Sequence, residues 1–190
     1  MTKTTMSALV LFCFFSIMSP VRGDTPQLEP NALWSAIFLP LPADSSERSY
    51  LGVNQGDTFA VGDMAAEIVI VQIFSMYCPI CQREAPRVNQ LFALIDQRGD
   101  LSRKLKIIGI GAGNSRYEVD FYRRNYAIAF PLFADGDFEI HKKIGEVRTP
   151  YFFILKHDDH GKVRLVYAHS GRFNSPETFL EEIVKRCGLE

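Results

Sequence analysis

Two cysteines separated by two residues, Cys78 and Cys81, lie where a long apolar run ends and a helical pattern begins. A sulfur at the N-terminus of a helix lies close to unpaired backbone N–H groups and to the positive end of the helix dipole, and both favour a thiolate. Cysteines in this setting have pKa values of roughly 3.5–7.5, against about 8.5 for a free thiol. We therefore predict that Cys78 is the nucleophile of a redox pair. Cys81, one helical turn further, is predicted to be shielded and to act as the resolving thiol.

Structural roles for this pair are less consistent with the sequence. A structural zinc site needs four ligands at short paired spacings, but the sequence has no second pair of cysteines and its histidines lie far downstream. A permanent disulfide across two residues closes so small a loop that its entropic benefit is minor. Pro79 suits the first position of the helix, because it has no N–H to lose and its φ is already helical. The spacing thus favours reversible disulfide chemistry at Cys78 and Cys81.

The segments around the pair predict an α/β fold. Residues 67–74 are almost continuously apolar and β-branched, as expected of a central strand buried on both faces, and this strand leads into Cys78. From Pro79 the apolar residues follow a helical period. Further segments alternate along the chain, with a strand at 106–111, a helix at 117–126, a strand at 130–133 and a helix at 138–144. This alternation indicates a parallel sheet with helices on its faces.

Both ends of the fold are expected to contain antiparallel strands. Residues 151–155 and 163–169 are strand-like runs on either side of a turn-rich segment, which indicates a hairpin at the end of the sheet. Two shorter runs at 50–53 and 59–61 predict a hairpin on the N-terminal side. Ser175 then begins a last amphipathic helix. We predict a central mixed β-sheet flanked by helices, with an N-terminal β-hairpin extension.

The first residues have the order of a secretory signal peptide. Lys3 precedes an uncharged, mostly apolar run at residues 6–19, and small residues stand before a cleavage site at Asp24. The run is too short to cross a membrane comfortably, since a spanning helix needs roughly 20 residues. We predict a signal peptide at 1–23, a lead-in at 24–48 that packs only locally, and one thioredoxin-like domain at 49–190. The protein is then periplasmic, or anchored to the inner membrane if the signal stays uncleaved.

Composition and spacing exclude other partner classes. The chain of 190 residues carries a formal net charge of -1, with Lys and Arg scattered along it. Such a chain offers no single-sign field to phosphate backbones, so we expect no nucleic-acid partner. Gly109 to Gly113 follow a strand, but Asn114 stands where a dinucleotide fingerprint needs glycine, so a plain strand-to-helix turn is the better interpretation. Cys187 lies on the apolar stripe of the last helix and is expected to be buried and inert.

The residues around the cysteines resemble a known family. Tyr77-Cys78-Pro79-Ile80-Cys81-Gln82-Arg83-Glu84-Ala85-Pro86 matches the C-x-x-C-x-x-E-x-P pattern of the thioredoxin-like TlpA/ResA group, a family of exported thiol-disulfide oxidoreductases. Arg148-Thr149-Pro150-Tyr151 resembles the cis-proline loop of the same fold. The resemblance covers roughly residues 50–187. It implies a thioredoxin fold and the activity of a thiol-disulfide oxidoreductase of the protein-disulfide reductase type.

The resemblance also implies roles for individual residues. Cys78 would attack a partner's disulfide and Cys81 would resolve the product, and the residues in contact with the substrate would be Tyr77, Pro79, Thr149 and Pro150. Glu84 would move protons during the exchange. Its place on the apolar stripe of the helix predicts burial beneath the sulfurs, and the alternative is an exposed acid paired with Arg83 or Arg87.

The same resemblance sets the expected partners. They are protein thiols and disulfides, among them apocytochrome c or another oxidoreductase. Contact with a membrane is expected only if the signal stays uncleaved. We further expect a monomeric protein with neither a cofactor nor a metal.

Some residues depart from the family and leave alternatives open. Tyr77 stands where most members have Trp, and Gln72 stands where thioredoxin has a buried Asp. The stretch that contains Ser75 resembles the hydroxyl-x-x-Cys pattern of a peroxiredoxin, so a thiol peroxidase is one alternative. A copper carrier of the Sco type, with both thiolates and either His141 or His169 as ligands, is another. Both alternatives use Cys78.

Overall fold

The computed structural model describes residues 37–157 and 162–189. The predicted signal peptide, the lead-in up to residue 36 and the turn at 158–161 lie outside the described residues. The strands are β1 (Phe38–Pro40), β2 (Thr58–Ala60), β3 (Ile68–Phe74), β4 (Leu105–Ala112), β5 (Leu132–Asp135), β6 (Tyr151–His157) and β7 (Val163–Ser170). The α-helices are α1 (Ser45–Leu51), α2 (Pro79–Gln97), α3 (Gly99–Lys104), α4 (Arg116–Asn125), α5 (Glu139–Lys143) and α6 (Pro176–Cys187), and Val61–Asp63 form a 3₁₀ turn.

A five-stranded sheet in the order β5-β4-β3-β6-β7 forms the centre of the fold. β3 pairs in parallel with β4, and β4 pairs in parallel with β5. β6 pairs antiparallel with β3 and with β7. Every side chain of β3 is buried, because both faces of the sheet are covered. The predicted mixed sheet flanked by helices is confirmed.

Alternate residues of β3 enter two apolar layers, because successive side chains of a strand point to opposite faces. Ile70 and Phe74 belong to a buried cluster that includes Cys81 on α2 and the apolar face of α6. Val71 and Ile73 belong to a second cluster on the other face. The first cluster packs the start of α2 against the sheet, which places the cysteine pair beside the C-terminal end of β3.

The N-terminal side differs from the prediction in one element. The predicted antiparallel pair exists, but its strands are β1 and β2, and residues 50–53 are not a strand. Residues 45–51 form α1 instead. Asp44 caps its first turn by accepting from the Ser46 backbone N–H at 2.7 Å, and Gly52 ends it with a positive φ of 71°. These two caps outweigh the weak strand propensity of a run of four residues.

The lead-in joins the core from residue 37 onward. Ile37 and Leu39 are 3% and 0% exposed, and both pack in the cluster that contains Val71 of β3. The expectation of only local packing is therefore wrong for residues 37–48. A division of the chain at residue 49 would cut through α1.

The remaining elements lie close to their predicted positions. β5 begins at Leu132 instead of residue 130, because Pro131 has no N–H to donate to a ladder. Within residues 37–157 and 162–189, the structure contains no helix long and apolar enough to span a membrane.

Candidate active site

The turn between β3 and α2 is fixed from two sides. The side-chain oxygen of Asn114 accepts from the Met76 backbone N–H at 2.8 Å, and the Gln82 side chain donates to the Met76 carbonyl at 2.8 Å. Asn114 is fully buried and follows β4, the parallel neighbour of β3, so the sheet brings it to the edge where β3 ends. Together the two bonds hold the chain just before Cys78.

Cys78 is the N-cap residue of α2 and is half-buried. Its sulfur accepts a hydrogen bond from the Cys81 backbone N–H at 3.2 Å, and its thiol donates to the Thr149 carbonyl at 3.4 Å. Burial acts to raise the pKa of Cys78, but hydrogen bonds from Cys81, from the Thr149 side chain and from the Ile80 backbone outweigh burial and lower this pKa. The helix end therefore favours a thiolate at Cys78.

Cys81 lies one helical turn deeper and is fully buried. Burial raises the pKa of Cys81 to about 12, and the neighbouring Cys78 acts in the same direction. The Tyr122 hydroxyl on α4 donates to the Cys81 carbonyl at 3.0 Å, and the Tyr122 ring stacks on Phe74 with the centroids 4.6 Å apart. The two thiols thus differ in exposure and in the direction of their pKa shifts, while their roles as nucleophile and resolving thiol stay predictions.

The other residues expected to contact substrate lie near Cys78. The Thr149–Pro150 peptide bond is cis, Thr149 is half-buried and Pro150 is buried. Tyr77 is 64% exposed, and its hydroxyl donates to Glu118 at the start of α4. Pro79 is exposed at the first position of α2. Thr149 contacts the Cys78 sulfur directly. Tyr77 and Pro79 are next to Cys78 in the sequence.

Glu84 is fully buried on α2, as its place on the apolar stripe predicts. One carboxylate oxygen accepts from Arg172 Nε at 2.7 Å, and the other accepts from the Phe173 backbone N–H at 3.2 Å. The alternative of an exposed acid paired with Arg83 or Arg87 is wrong. Glu84 connects α2 to the segment after β7, and its role in proton transfer stays a prediction.

Residues 171–174, the loop between β7 and α6, link α2 to the cis-proline loop. Arg87 on α2 donates to the carbonyls of residues 173 and 174 at 2.8 and 3.1 Å. At the other end of the loop, the Gly171 N–H donates to the Pro150 carbonyl at 2.8 Å. The first turns of α2 therefore position the loop that supports Pro150.

The roles of three residues that support the site were not predicted from the sequence: Asn114, Tyr122 and Arg172. The position of Asn114 could have indicated its role, because an Asn just after a buried strand commonly forms hydrogen bonds with nearby backbone groups. Tyr122 follows the apolar period of α4, which predicts its burial but not the partner of its hydroxyl. Nothing in the sequence around Arg172 indicates its contact with α2.

The histidines considered for copper have other contacts. His141 Nε2 lies 2.8 Å from the Val147 carbonyl, and His169 Nε2 lies 3.1 Å from the Arg172 carbonyl. In the part of the chain that the structure describes, no group of three or more His, Cys, Asp or Glu side chains lies close enough to hold a metal ion. Cys187 is buried, and burial raises its pKa to about 11.

Paired thiols with opposite pKa shifts, placed where a central strand meets a helix, define a dithiol redox protein with a thioredoxin-like fold. The model of the AhpC/TSA family matches residues 45–166. This match covers more than half of the chain and includes Cys78, Cys81, Glu84 and Pro150. The chain therefore belongs to the AhpC/TSA family.

Curated relatives carry the name thiol-disulfide oxidoreductase ResA. The protein from Halalkalibacterium halodurans is 22% identical over 129 residues, which are 68% of this chain and 69% of the relative. The protein from Geobacillus thermodenitrificans is 21% identical over 59% of this chain and 60% of the relative. The protein from Bacillus thuringiensis is 26% identical over 57% of this chain and 59% of the relative, so the chain matches 59–69% of the length of these three relatives. The predicted resemblance to ResA is confirmed, and so is the prediction of an enzyme of the thiol-disulfide oxidoreductase class.

Solved structures share the fold at low sequence identity. StoA from Bacillus subtilis superimposes with a TM-score of 0.52 at 17% identity, over 68% of this chain and 90% of StoA. A thiol:disulfide interchange protein of the thioredoxin family from Chlorobium tepidum superimposes with a TM-score of 0.57 at 19% identity, over 83% of this chain and 96% of that protein. These similarities confirm the predicted thioredoxin-like fold.

Proposed function

We propose that the protein is an exported thiol-disulfide oxidoreductase that reduces disulfides of partner proteins through Cys78 and Cys81. One observation carries the proposal: the half-buried Cys78 sulfur caps α2 and accepts from a backbone N–H at 3.2 Å, whereas Cys81 is fully buried. This arrangement lowers the pKa of Cys78 and raises that of Cys81. The thiolate is the attacking species in disulfide exchange, so this difference selects Cys78 to begin the reaction. The relatives named thiol-disulfide oxidoreductase ResA support the same activity.

In the proposed reaction the Cys78 thiolate attacks one sulfur of the partner's disulfide. The partner's S–S bond breaks, a mixed disulfide with Cys78 forms, and the released partner thiolate takes up a proton. Cys81 then loses its proton and attacks the Cys78 sulfur, which forms the Cys78–Cys81 disulfide and releases the second partner thiol. Two electrons pass from the pair to the partner, and an external dithiol reduces the pair again.

The surroundings of the pair support these steps. The Cys81 backbone N–H, 3.2 Å from the Cys78 sulfur, stabilises negative charge on that sulfur before it attacks. Thr149 and Pro150 offer one wall for an extended segment of the partner, and Tyr77 lies on the other side. Glu84 is the candidate acceptor for the Cys81 proton.

A thiol peroxidase is the alternative that uses the same nucleophile. A peroxide oxidises a single thiolate to a sulfenic acid, so the reaction does not begin with a disulfide. The contact between the Cys81 backbone and the Cys78 sulfur favours the dithiol reaction, because it holds the resolving residue next to the mixed disulfide. Consumption of hydrogen peroxide at a rate above that of protein-disulfide reduction would contradict the proposal.

Trapping of the mixed disulfide tests the assignment of the two thiols. Cys81→Ser is expected to accumulate a mixed disulfide with a disulfide-containing protein such as insulin, because exchange begins but is not resolved. Cys78→Ser is the matched control and is expected to trap no partner, since Cys81 is buried. Non-reducing electrophoresis and intact mass detect the adduct. The reverse pattern, or full reductase activity in either variant, would overturn the proposal.

The direction of electron flow and the partner belong to the same proposal. Equilibration of the Cys78/Cys81 couple with glutathione gives its reduction potential, and about 30 mV corresponds to a tenfold change in the equilibrium constant. A value at or below that of thioredoxin, about -270 mV, is expected for a reductase. A value near -120 mV, typical of a strong oxidant, would contradict this direction. The rates at which the protein reduces two candidate partners, a disulfide of apocytochrome c and a disulfide of another oxidoreductase, then identify the preferred one.

A further inference from the structure

Large aromatic side chains are exposed beside Cys78. Tyr77 is 64% exposed, Tyr117 is 73% exposed and Phe121 is 45% exposed. Exposed apolar residues that lie together mark binding surfaces, whereas single scattered ones are ordinary. We call these three residues the aromatic surface.

A hydrogen bond connects Tyr77 to α4, the helix that carries Tyr117 and Phe121. The Tyr77 hydroxyl donates to Glu118, which brings the Tyr77 side chain to the first turn of α4. Tyr117 and Phe121 are four residues apart on α4 and therefore share a face of the helix, directly beside Glu118. The aromatic surface thus extends from the residue before Cys78 along one turn of α4.

The opposite face of α4 fixes the outward direction of these rings. Val119 and Tyr122 are each 2% exposed and pack in the core cluster of α2. The start of α4 is held by a capping box in which Ser115 and Glu118 bond each other's backbone. Rotation of α4 would expose Val119 and Tyr122, so Tyr117 and Phe121 stay in contact with solvent.

Two hydrogen bonds fix the aromatic surface relative to the nucleophile. Asn114, just before α4, accepts from the Met76 backbone N–H at 2.8 Å. Tyr122 on α4 donates to the Cys81 carbonyl at 3.0 Å. The two bonds attach α4 to the chain on both sides of Cys78, so the distance between the rings and the sulfur is set by the fold.

We propose that the aromatic surface binds an aromatic or large aliphatic side chain of the partner protein, on the same extended segment that brings the disulfide to Cys78. This inference rests on the proposed function and names what the site selects. The reaction brings the partner's sulfur to bonding distance from Cys78, so the partner's chain passes Tyr77. An extended chain advances about 3.3 Å per residue, and the aromatic surface begins at Tyr77 and continues along one turn of α4, so we expect the selected side chain a few residues from the partner's cysteine.

The aromatic surface selects the partner without taking part in electron transfer. Apolar burial against aromatic rings favours the bound segment and leaves the sulfur chemistry unchanged. We expect this contact to raise kcat/KM about tenfold for a partner segment with Phe over one with Ser at the same position.

Two disulfide-linked peptides test the inference, one with Phe and one with Ser three residues from the reactive cysteine. The wild-type protein is expected to reduce the Phe peptide with about tenfold higher kcat/KM. The double variant Tyr117→Ser/Phe121→Ser is expected to bring this ratio close to one. Phe38→Ser is the matched control, because Phe38 is an aromatic residue of similar exposure, 64%, on β1, and this variant is expected to keep the tenfold ratio.

The outcomes separate this inference from the proposed function. Equal kcat/KM values for the two peptides in the wild type, or a tenfold ratio that persists in the double variant, would overturn the inference and leave the reductase in place. Reduction of neither peptide would overturn the proposed function and the inference with it. Sedimentation tests a second copy as the occupant: a wild-type dimer that the double variant dissociates would assign the aromatic surface to self-association and overturn the inference.

Discussion

Cys78 and Cys81 carry the same thiol in different surroundings. The Cys78 sulfur lies at the open end of α2, where it accepts from a backbone N–H, whereas Cys81 is enclosed by the core. Hydrogen bonds to a thiolate favour the charged form and desolvation disfavours it. One helical turn is therefore enough to shift the pKa values of the two residues in opposite directions.

The pH dependence of alkylation should show this difference. We expect the reaction of iodoacetamide with Cys78 of the reduced protein to have a midpoint below the pKa of an ordinary thiol, and to slow as the pH falls through that midpoint, because the protonated thiol is not nucleophilic. Cys81 and Cys187 should stay unmodified at the same pH, because burial raises their pKa values to about 12 and about 11. Peptide mass spectrometry gives the profile of each cysteine. A midpoint above the pKa of an ordinary thiol at Cys78 would contradict the proposed nucleophile.

Glu84→Gln distinguishes two roles for Glu84: a structural one, in which its hydrogen bonds connect α2 to Arg172 and Phe173, and one in proton transfer. The amide keeps the shape of the side chain but sets an NH₂ group against Arg172 or the Phe173 N–H. We expect the free energy of unfolding to fall by about 1–3 kcal/mol, the usual cost of a buried donor that loses its acceptor. Urea denaturation measures this loss, and Glu181→Gln on the exposed side of α6 is a control expected to change little. A flattened pH profile of disulfide exchange in Glu84→Gln would support proton transfer. An unchanged profile would leave Glu84 with the structural role alone.

At the scale of elements, the loop after β4 positions the turn after β3. Asn114 is fully buried, and its side-chain oxygen satisfies the Met76 backbone N–H. The two strands are parallel neighbours, so the ends that carry these loops meet at one edge of the sheet. The nucleophile therefore depends on an element that contributes no reacting atom.

Asn114→Ala tests this dependence. The substitution leaves the Met76 N–H without its acceptor, so we expect a loss of about 1–3 kcal/mol in the free energy of unfolding and slower alkylation of Cys78. Asn125→Ala, at the exposed end of α4, is the matched control and should change neither quantity by much. If Asn114→Ala kept the stability and the alkylation rate of the wild type, the turn between β3 and α2 would not depend on Asn114.

In the whole molecule, the segment before α1 is part of the folded unit. Neighbouring residues of β1 have opposite environments, since Leu39 is 0% exposed and Phe38 is 64% exposed. We expect Leu39→Ala to lower the free energy of unfolding by about 2–5 kcal/mol, as for other buried leucines, and Phe38→Ala to have a small effect. Urea denaturation of the two variants measures the difference. Equal small losses would mean that β1 packs only weakly on the sheet.

Processing of the whole chain is a separate prediction. The apolar run after Lys3 and the small residues before Asp24 predict cleavage between residues 23 and 24. We expect intact-mass analysis of protein from the producing cell to show a chain that begins at Asp24. A mature species that still contains residues 1–23 would contradict cleavage and indicate that the signal stays as an anchor.

The sequence by itself determined the local arrangement of the sulfur pair. The buried strand β3, the helix α2 and the N-cap position of Cys78 depend on residues close together in the chain, so their apolar period and the proline at position 79 were enough to predict them. The alternation of strands and helices predicted the parallel strands, because parallel neighbours need a crossover between them, and the hairpin at the end of the chain made the predicted sheet mixed.

Only the tertiary structure decided which distant residues serve the site. Glu84 finds its partners 88 and 89 positions further along the chain, and Asn114 lies 38 positions from Met76. Tertiary structure also decided the conformation of residues 50–53. Their apolar pattern is compatible with a strand or a helix, and the caps of α1 and its packing favour the helix. A buried polar group needs a hydrogen-bond partner, but the partner is whichever segment the fold brings near, and no local period in the sequence records that approach.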